Sequence, residues 1–94
     1  MLQFEWEGND RLLLRGRLDA TQEERAREVL DRIESSCTLD LERLSYISSS
    51  GLGLLVALQL RLSRRGASVT LDHVGPYVRE MLQLAGLEEM FAVG

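Results

Sequence analysis

Residues 48–62 read "SSSGLGLLVALQLRL", three hydroxyls and two glycines leading into the most apolar run of the chain. Within it Leu52, Leu55, Val56, Leu58, Leu60 and Leu62 crowd into about three turns, which predicts a helix buried over most of its circumference. The stretch from Gly51 to Leu62 contains Gln59 and is too short to cross a bilayer, so it reads as a core helix of a folded domain. Arg61, Arg64 and Arg65 mark its wetter carboxyl end, where cations favour the helix dipole, and Gly66 is placed to stop it.

Working outward, "CTLDLERL" (37–44) alternates, with Leu39 and Leu41 on one side and a polar end at Asp40, and predicts a strand. "ASVTLDHV" (67–74) predicts another core strand. Residues 2–7 and 11–18 are short β-type runs separated by "GND", a turn signal that makes them a hairpin. "TQEE" then matches a capping box, the Thr21 hydroxyl bonding the amide of Glu24. Ala26, Val29, Leu30 and Ile33 follow on one helical face, and this helix should end near Ser35. "GPYVREMLQLAG" (75–86) has proline at the first helical position, Val78, Met81, Leu82 and Ala85 on one face, and Gly86 as its stop. "LEEMFAVG" is a last short turn or strand.

The order β-β-α-β-α-β-α predicts a single α/β domain over residues 1–94. Its sheet is mixed and mainly parallel, of four to five strands with crossover helices, and the opening hairpin supplies an antiparallel edge. In such sheets ligands and partners gather at the carboxyl ends of strands. Asp19 and the serines both follow strands, so they are expected to be neighbours.

Composition removes several functions. The 94 residues are 45% hydrophobic and 28% charged, the profile of one soluble globular domain. A net charge of −4 argues against direct nucleic-acid binding. The eleven basic residues are all arginine, which rules out lysine Schiff bases and phosphate-loop lysines. Cys37 is the only cysteine, so no internal disulfide forms and a reducing cytoplasm is the simplest location. The opening "MLQFEWEGND" lacks the layout of a signal peptide, and membrane insertion is not expected.

Catalytic and cofactor readings fail in turn. "GLG" lacks the third glycine of a dinucleotide site. His73, the only histidine, has no identifiable nucleophile and reads as a structural or surface residue. Asp19, Asp40 and Asp72 share a sheet edge only as a weak candidate for a divalent cation, without metal-ligand spacing. Phe4 and Trp6 read as packing residues. No enzyme and no cofactor are expected. What remains is the serine stretch. One hydroxyl suffices for a helix cap but three are present, and Gly51 and Gly53 clear the approach to the backbone. A phosphate held at the helix start, over Ser50 to Gly53, is a further reading in which the chain is a small ligand-binding module.

The series "RGRLD", "LDLERLSYISSSGLGLL" and "GASVTLDHVGPYVREMLQLAGLEEMF" resembles the STAS domain over nearly the whole chain, most of all the free-standing bacterial anti-sigma-factor antagonists. The resemblance implies a partner switch. Such proteins bind an anti-sigma factor that is also a serine kinase, and so free a sigma factor; the kinase phosphorylates the first serine of a D-S-S-G pattern, and a metal-dependent serine phosphatase reverses this. Aligned on Gly51, the phosphoacceptor falls on Ser49. Asp19 matches the aspartate of the family's G-x-L-D element, and Asp19, Ser48, Ser50, Gly51, Leu52 and Gly53 form the implied partner-binding set. Ser48 stands where the pattern has aspartate. Either Ser49 remains a substrate with altered kinetics, or phosphorylation is lost and the chain is a constitutive subunit or scaffold of a lipid-transport ATPase or stress-signalling complex. The chain ends soon after Phe91, where relatives carry a longer helix, which leaves a homodimer open.

Overall fold

A computed structural model describes residues 1–93. Strand β1 (Gln3–Glu7) turns through Gly8, at φ 68°, into β2 (Arg11–Leu18), and Glu7 pairs with Arg11 across the hairpin. A 3-10 turn at Ala20–Gln22 precedes α1 (Glu23–Asp31), and β3 (Cys37–Ile47), α2 (Ser49–Ser63), β4 (Val69–Asp72) and α3 (Pro76–Leu84) follow. A second 3-10 turn, Glu88–Met90, leads to the two-residue β5 (Ala92–Val93). The sheet order is β1-β2-β3-β4-β5, with β1 antiparallel to β2 and every later pair parallel. The expected mixed sheet is therefore present.

Alternation along β2 separates two faces. Leu12, Leu14 and Leu18 are buried, whereas Arg11, Leu13, Arg15 and Arg17 take the other side and retain exposure. Register carries the apolar face across the sheet, Leu12 opposite Leu39 and Leu39 opposite Leu71. Ala26 and Leu30 of α1, Leu55, Leu58 and Leu62 of α2, and Val78 and Leu82 of α3 complete the same core. Two register shifts give β3 an extra residue opposite Leu13–Arg15 and another opposite Gly16–Arg17. The strand consequently runs to Ile47, past the expected end at Leu44, and delivers Ser48 directly to the next helix.

Four further expectations change. Helix α1 ends at Asp31, short of Ser35, because the guanidinium of Arg61 donates to the carbonyls of Leu30 (2.9 Å) and Ile33 (2.8 Å) and closes the helix end. Thr21 is not the cap; Asp19 accepts from its amide and hydroxyl, and the intervening 3-10 turn moves the start of α1 to Glu23. Leu60 is 46% exposed and Val56 half-buried, since α2 packs on the sheet along Leu55, Leu58 and Leu62 and keeps a solvent stripe. Ala85 is exposed beyond the end of α3.

Gln59 is the polar residue of the apolar helix, and it is buried. Its Oε1 accepts from the Val69 amide at 2.7 Å, and its Nε2 donates to the Met90 carbonyl at 2.7 Å. It thereby ties α2 to β4 and to the turn before β5. Gln59→Leu should lower unfolding stability by about 2–4 kcal/mol, because it strands a buried N–H and a carbonyl. Urea denaturation measures this; an unchanged midpoint would show that the tie carries no weight.

Candidate functional site

The carboxyl ends of β2 and β3 lie side by side, and the Ser48 amide donates to the Leu18 carbonyl at 2.9 Å. Asp19 follows the one strand and the serines follow the other, so the expected neighbourhood is formed. Ser48 has an extended backbone and is the N-cap of α2; its Oγ accepts from the Gly51 amide at 3.0 Å. The Ser50 hydroxyl lies 3.2 Å from that of Ser48. Ser49, the first residue of the helix, is exposed and makes no side-chain hydrogen bond among the described residues. Of the three hydroxyls, the cap is thus Ser48.

The two glycines do different work. A Cβ on Gly51 would stand 2.8 Å from Leu18 Cγ, 3.0 Å from the Leu18 carbonyl oxygen and 3.2 Å from Ile47 Cγ1. Gly51 therefore admits the strand ends beneath the helix, in place of the partner-approach role expected for it. Gly53 is exposed, and a Cβ there would meet nothing within 4 Å. Leu52 is 4% exposed and packs in the core, so it supports the surface from below.

Asp19 is held ionised. The Thr21 hydroxyl, at 2.6 Å, lowers its carboxyl pKa, aided by the Thr21 amide and by Arg17, whose Nε is 3.8 Å away. Arg17 also lies over the ring of Tyr46, 4.3 Å from its centroid, and Tyr46 stacks on Tyr77 at 5.6 Å. Tyr77 reaches the Ile47 carbonyl at 3.5 Å and is 41% exposed. A row from Asp19 through Arg17 and Tyr46 to Tyr77 thus flanks the start of α2. The sequence reading missed this row; its signal was the Arg17–Asp19 pair bracketing buried Leu18, with Tyr77 just after a helix-starting proline.

The three aspartates do not meet. Asp40 pairs with Leu13 and Asp72, six residues back along β2 from Asp19, roughly 20 Å at strand rise. Arg11 bridges Asp40 (2.6 Å) and Asp72 (2.8 Å). His73, at a left-handed φ of 53°, places Nδ1 3.2 Å from Asp40 Oδ1. Donor atoms of Asp40, Glu42 and His73 fall within 4.8 Å of one another, a spacing a divalent cation accepts. Arg11, His73 and the Glu42 amide already occupy the Asp40 oxygens, so the group is accounted for as an ion-pair network.

Burial pushes the Asp40 carboxyl up, but the Glu42 amide, Arg11 and His73 outweigh it and leave the pKa lowered. Arg11 lowers that of Asp72. The Asp40 bond, with Asp72 adding, raises the pKa of His73.

The comparisons agree with this architecture. The family model described as "Mlab, STAS domain" matches residues 2–92. BtrV of Bordetella bronchiseptica, named as a candidate anti-sigma factor antagonist, is 35% identical over 64 residues; these cover 68% of this chain and 55% of that relative's length. A STAS-domain containing protein of Pseudomonas aeruginosa is 26% identical over 83 residues, 85% of this chain and 82% of its own. The structure of the anti-sigma factor antagonist SpoIIAA in its unphosphorylated form superposes with a TM-score of 0.79 at 26% identity, covering 100% of this chain and 88% of that one. Among the described residues, no helix is long and apolar enough to cross a membrane.

Two predictions follow from these contacts. Gly51→Ala should cost about 1–3 kcal/mol of stability by overpacking Leu18, whereas Gly53→Ala should gain up to about 1 kcal/mol from helix propensity; chemical denaturation of both variants decides, and equal effects would contradict the division. For His73 the folded pKa is raised, so its contribution is complete below about pH 6.5 and is lost as pH rises through the folded value. The Asp40 and Asp72 contributions run oppositely: complete above about pH 3.8, they are lost as pH falls through the lowered values. Wild type should therefore exceed His73→Ala in melting temperature at about pH 5.5, and by less at about pH 8.5; a difference independent of pH would contradict the assignment.

Proposed function

This chain belongs to the STAS-domain family, and from that premise we propose that it is an anti-sigma-factor antagonist acting as a phosphorylation-controlled partner switch. Unmodified, it binds an anti-sigma factor that is also a serine kinase, and so releases a sigma factor. Phosphorylation of Ser49 by that kinase breaks the complex, and a serine phosphatase restores it. The role is binding, without catalysis of its own, and its setting is the cytoplasm.

The observation that carries this reading is the condition of Ser49, exposed and without a side-chain hydrogen bond among the described residues at the first position of α2, while Ser48 is committed to the Gly51 amide. A kinase needs a hydroxyl that it can orient itself. Asp19, Ser48, Ser50 and Gly53 form the contact surface around it, Tyr77 extends that surface, and Gly51 and Leu52 hold it from below.

A phosphate adds roughly 1.5–2 negative charges. On the free protein the amide end of α2 tolerates them. In a packed interface the same charge must be desolvated beside the ionised Asp19. A coupling of about 3 kcal/mol changes affinity more than a hundredfold, and no refolding is needed.

Ser48 favours a second reading. A serine performs the capping that an aspartate would perform, but it brings no charge to the acceptor. A non-phosphorylated subunit of a lipid-transport ATPase complex, or a stress-signalling scaffold, would keep this helix start and dispense with the acceptor.

Incubation with ATP and the purified anti-sigma kinase, followed by intact mass and peptide mapping, separates the two. Wild type and Ser50→Ala should each gain one phosphate and Ser49→Ala none. A phosphate that persists in Ser49→Ala overturns the assignment, and a kinase that binds but never modifies the wild type supports the constitutive subunit.

A further inference from the structure

Helices α1 and α2 leave between them a groove of about 450 Å³ that opens beside the serines. Its floor is apolar, with Leu30, Leu54 and Leu58, and Ser50 and Gly53 form its rim at the start of α2. Arg27 and Arg61 line the rest of the rim against one carboxylate, Asp31. Arg61 spends its hydrogen bonds on the end of α1 but keeps its charge. Arg27 is exposed and makes no ion pair among the described residues. On a chain of net charge −4, a groove with more cations than anions and an apolar floor is a local reversal of character.

We infer that this groove is the second half of the partner-binding surface. It receives from the anti-sigma kinase an apolar side chain flanked by a carboxylate, the apolar group over Leu54 and Leu58 and the carboxylate on Arg27. The inference rests on the partner-switch reading and deepens it, because Ser50 and Gly53 belong to both the groove and the acceptor surface. Charge complementarity selects the occupant. An acidic group facing Arg27 speeds encounter and fixes orientation, and the apolar floor supplies the contact that a lone ion pair on a wet rim does not. Partner choice then depends on a feature some distance from the phosphoacceptor: from Ser49 to Leu58 the axis of α2 advances about 13 Å.

The test is the affinity of the purified anti-sigma kinase for wild type, Ser49→Asp, Arg27→Glu, Arg27→Lys and Ala57→Arg, with thermal melts by circular dichroism confirming that each variant is folded. Ala57 lines the groove from an exposed helix position, so arginine there fills the groove while adding positive charge. Arg27→Glu should weaken binding by about tenfold or more, and Arg27→Lys by less than about threefold. Ala57→Arg should weaken it as Arg27→Glu does. Wild-type affinity in both Arg27→Glu and Ala57→Arg, with Ser49→Asp still weakened, overturns the groove and leaves the switch standing. Weakening by Arg27→Glu alone reduces Arg27 to a surface charge and overturns the docked side chain. Self-association of the chain that Arg27→Glu abolishes assigns the groove to a second copy and likewise overturns the inference. Failure of the wild type to bind the kinase removes both.

Discussion

The first turn of α2 lies against the ends of β2 and β3 because residue 51 has no side chain. Any Cβ at that point would enter the van der Waals space of Leu18 and Ile47, and protein interiors yield little to such an intrusion. The rest of the site depends on this contact. It brings the Ser48 amide to the Leu18 carbonyl, sets Ser48 as the cap, and turns Ser49 outward beside the strand end that carries Asp19. A close backbone approach thus fixes the position of an exposed hydroxyl on rigid elements, where a mobile loop would leave it undefined.

Two other devices keep the frame around this contact in place. Gln59 lets an otherwise apolar helix satisfy backbone groups of β4 and of the turn before β5. Arg61 completes the hydrogen bonding of the last turn of α1 from the neighbouring helix. Both join α2 to another element through a side chain that reaches buried or half-buried carbonyls. The polar face of the sheet is held separately, by Arg11 between Asp40 and Asp72. Sheet, helices and strand ends are therefore tied together by side-chain hydrogen bonds, and the proposed switch, read out by charge, asks none of them to refold.

Much of the fold was legible in the residues because local and tertiary signals agree. The hairpin at Gly8 and Pro76 at the start of α3 each place an element, and both appear as expected. The departures arise where a tertiary partner overrides a local pattern. The early end of α1 depends on Arg61, thirty residues on from the final helical residue Asp31. The extension of β3 depends on two bulges that periodicity does not announce. Thr21 yields its role to Asp19, a charged acceptor two residues earlier that caps the intervening 3-10 turn. In the site, the serines and Asp19 were visible as types and positions, whereas the buried purpose of Gly51 and the Arg17–Tyr46–Tyr77 row exist only once strand ends are adjacent.

The central claim is that one phosphate on Ser49 separates this protein from its partner while the domain stays as it is. The direct measurement is calorimetric titration of the anti-sigma kinase with the chain phosphorylated at Ser49 and with the unmodified chain. The account predicts affinity about a hundredfold or more weaker for the phosphorylated chain, with superimposable circular dichroism for the two forms. Equal affinities would contradict it.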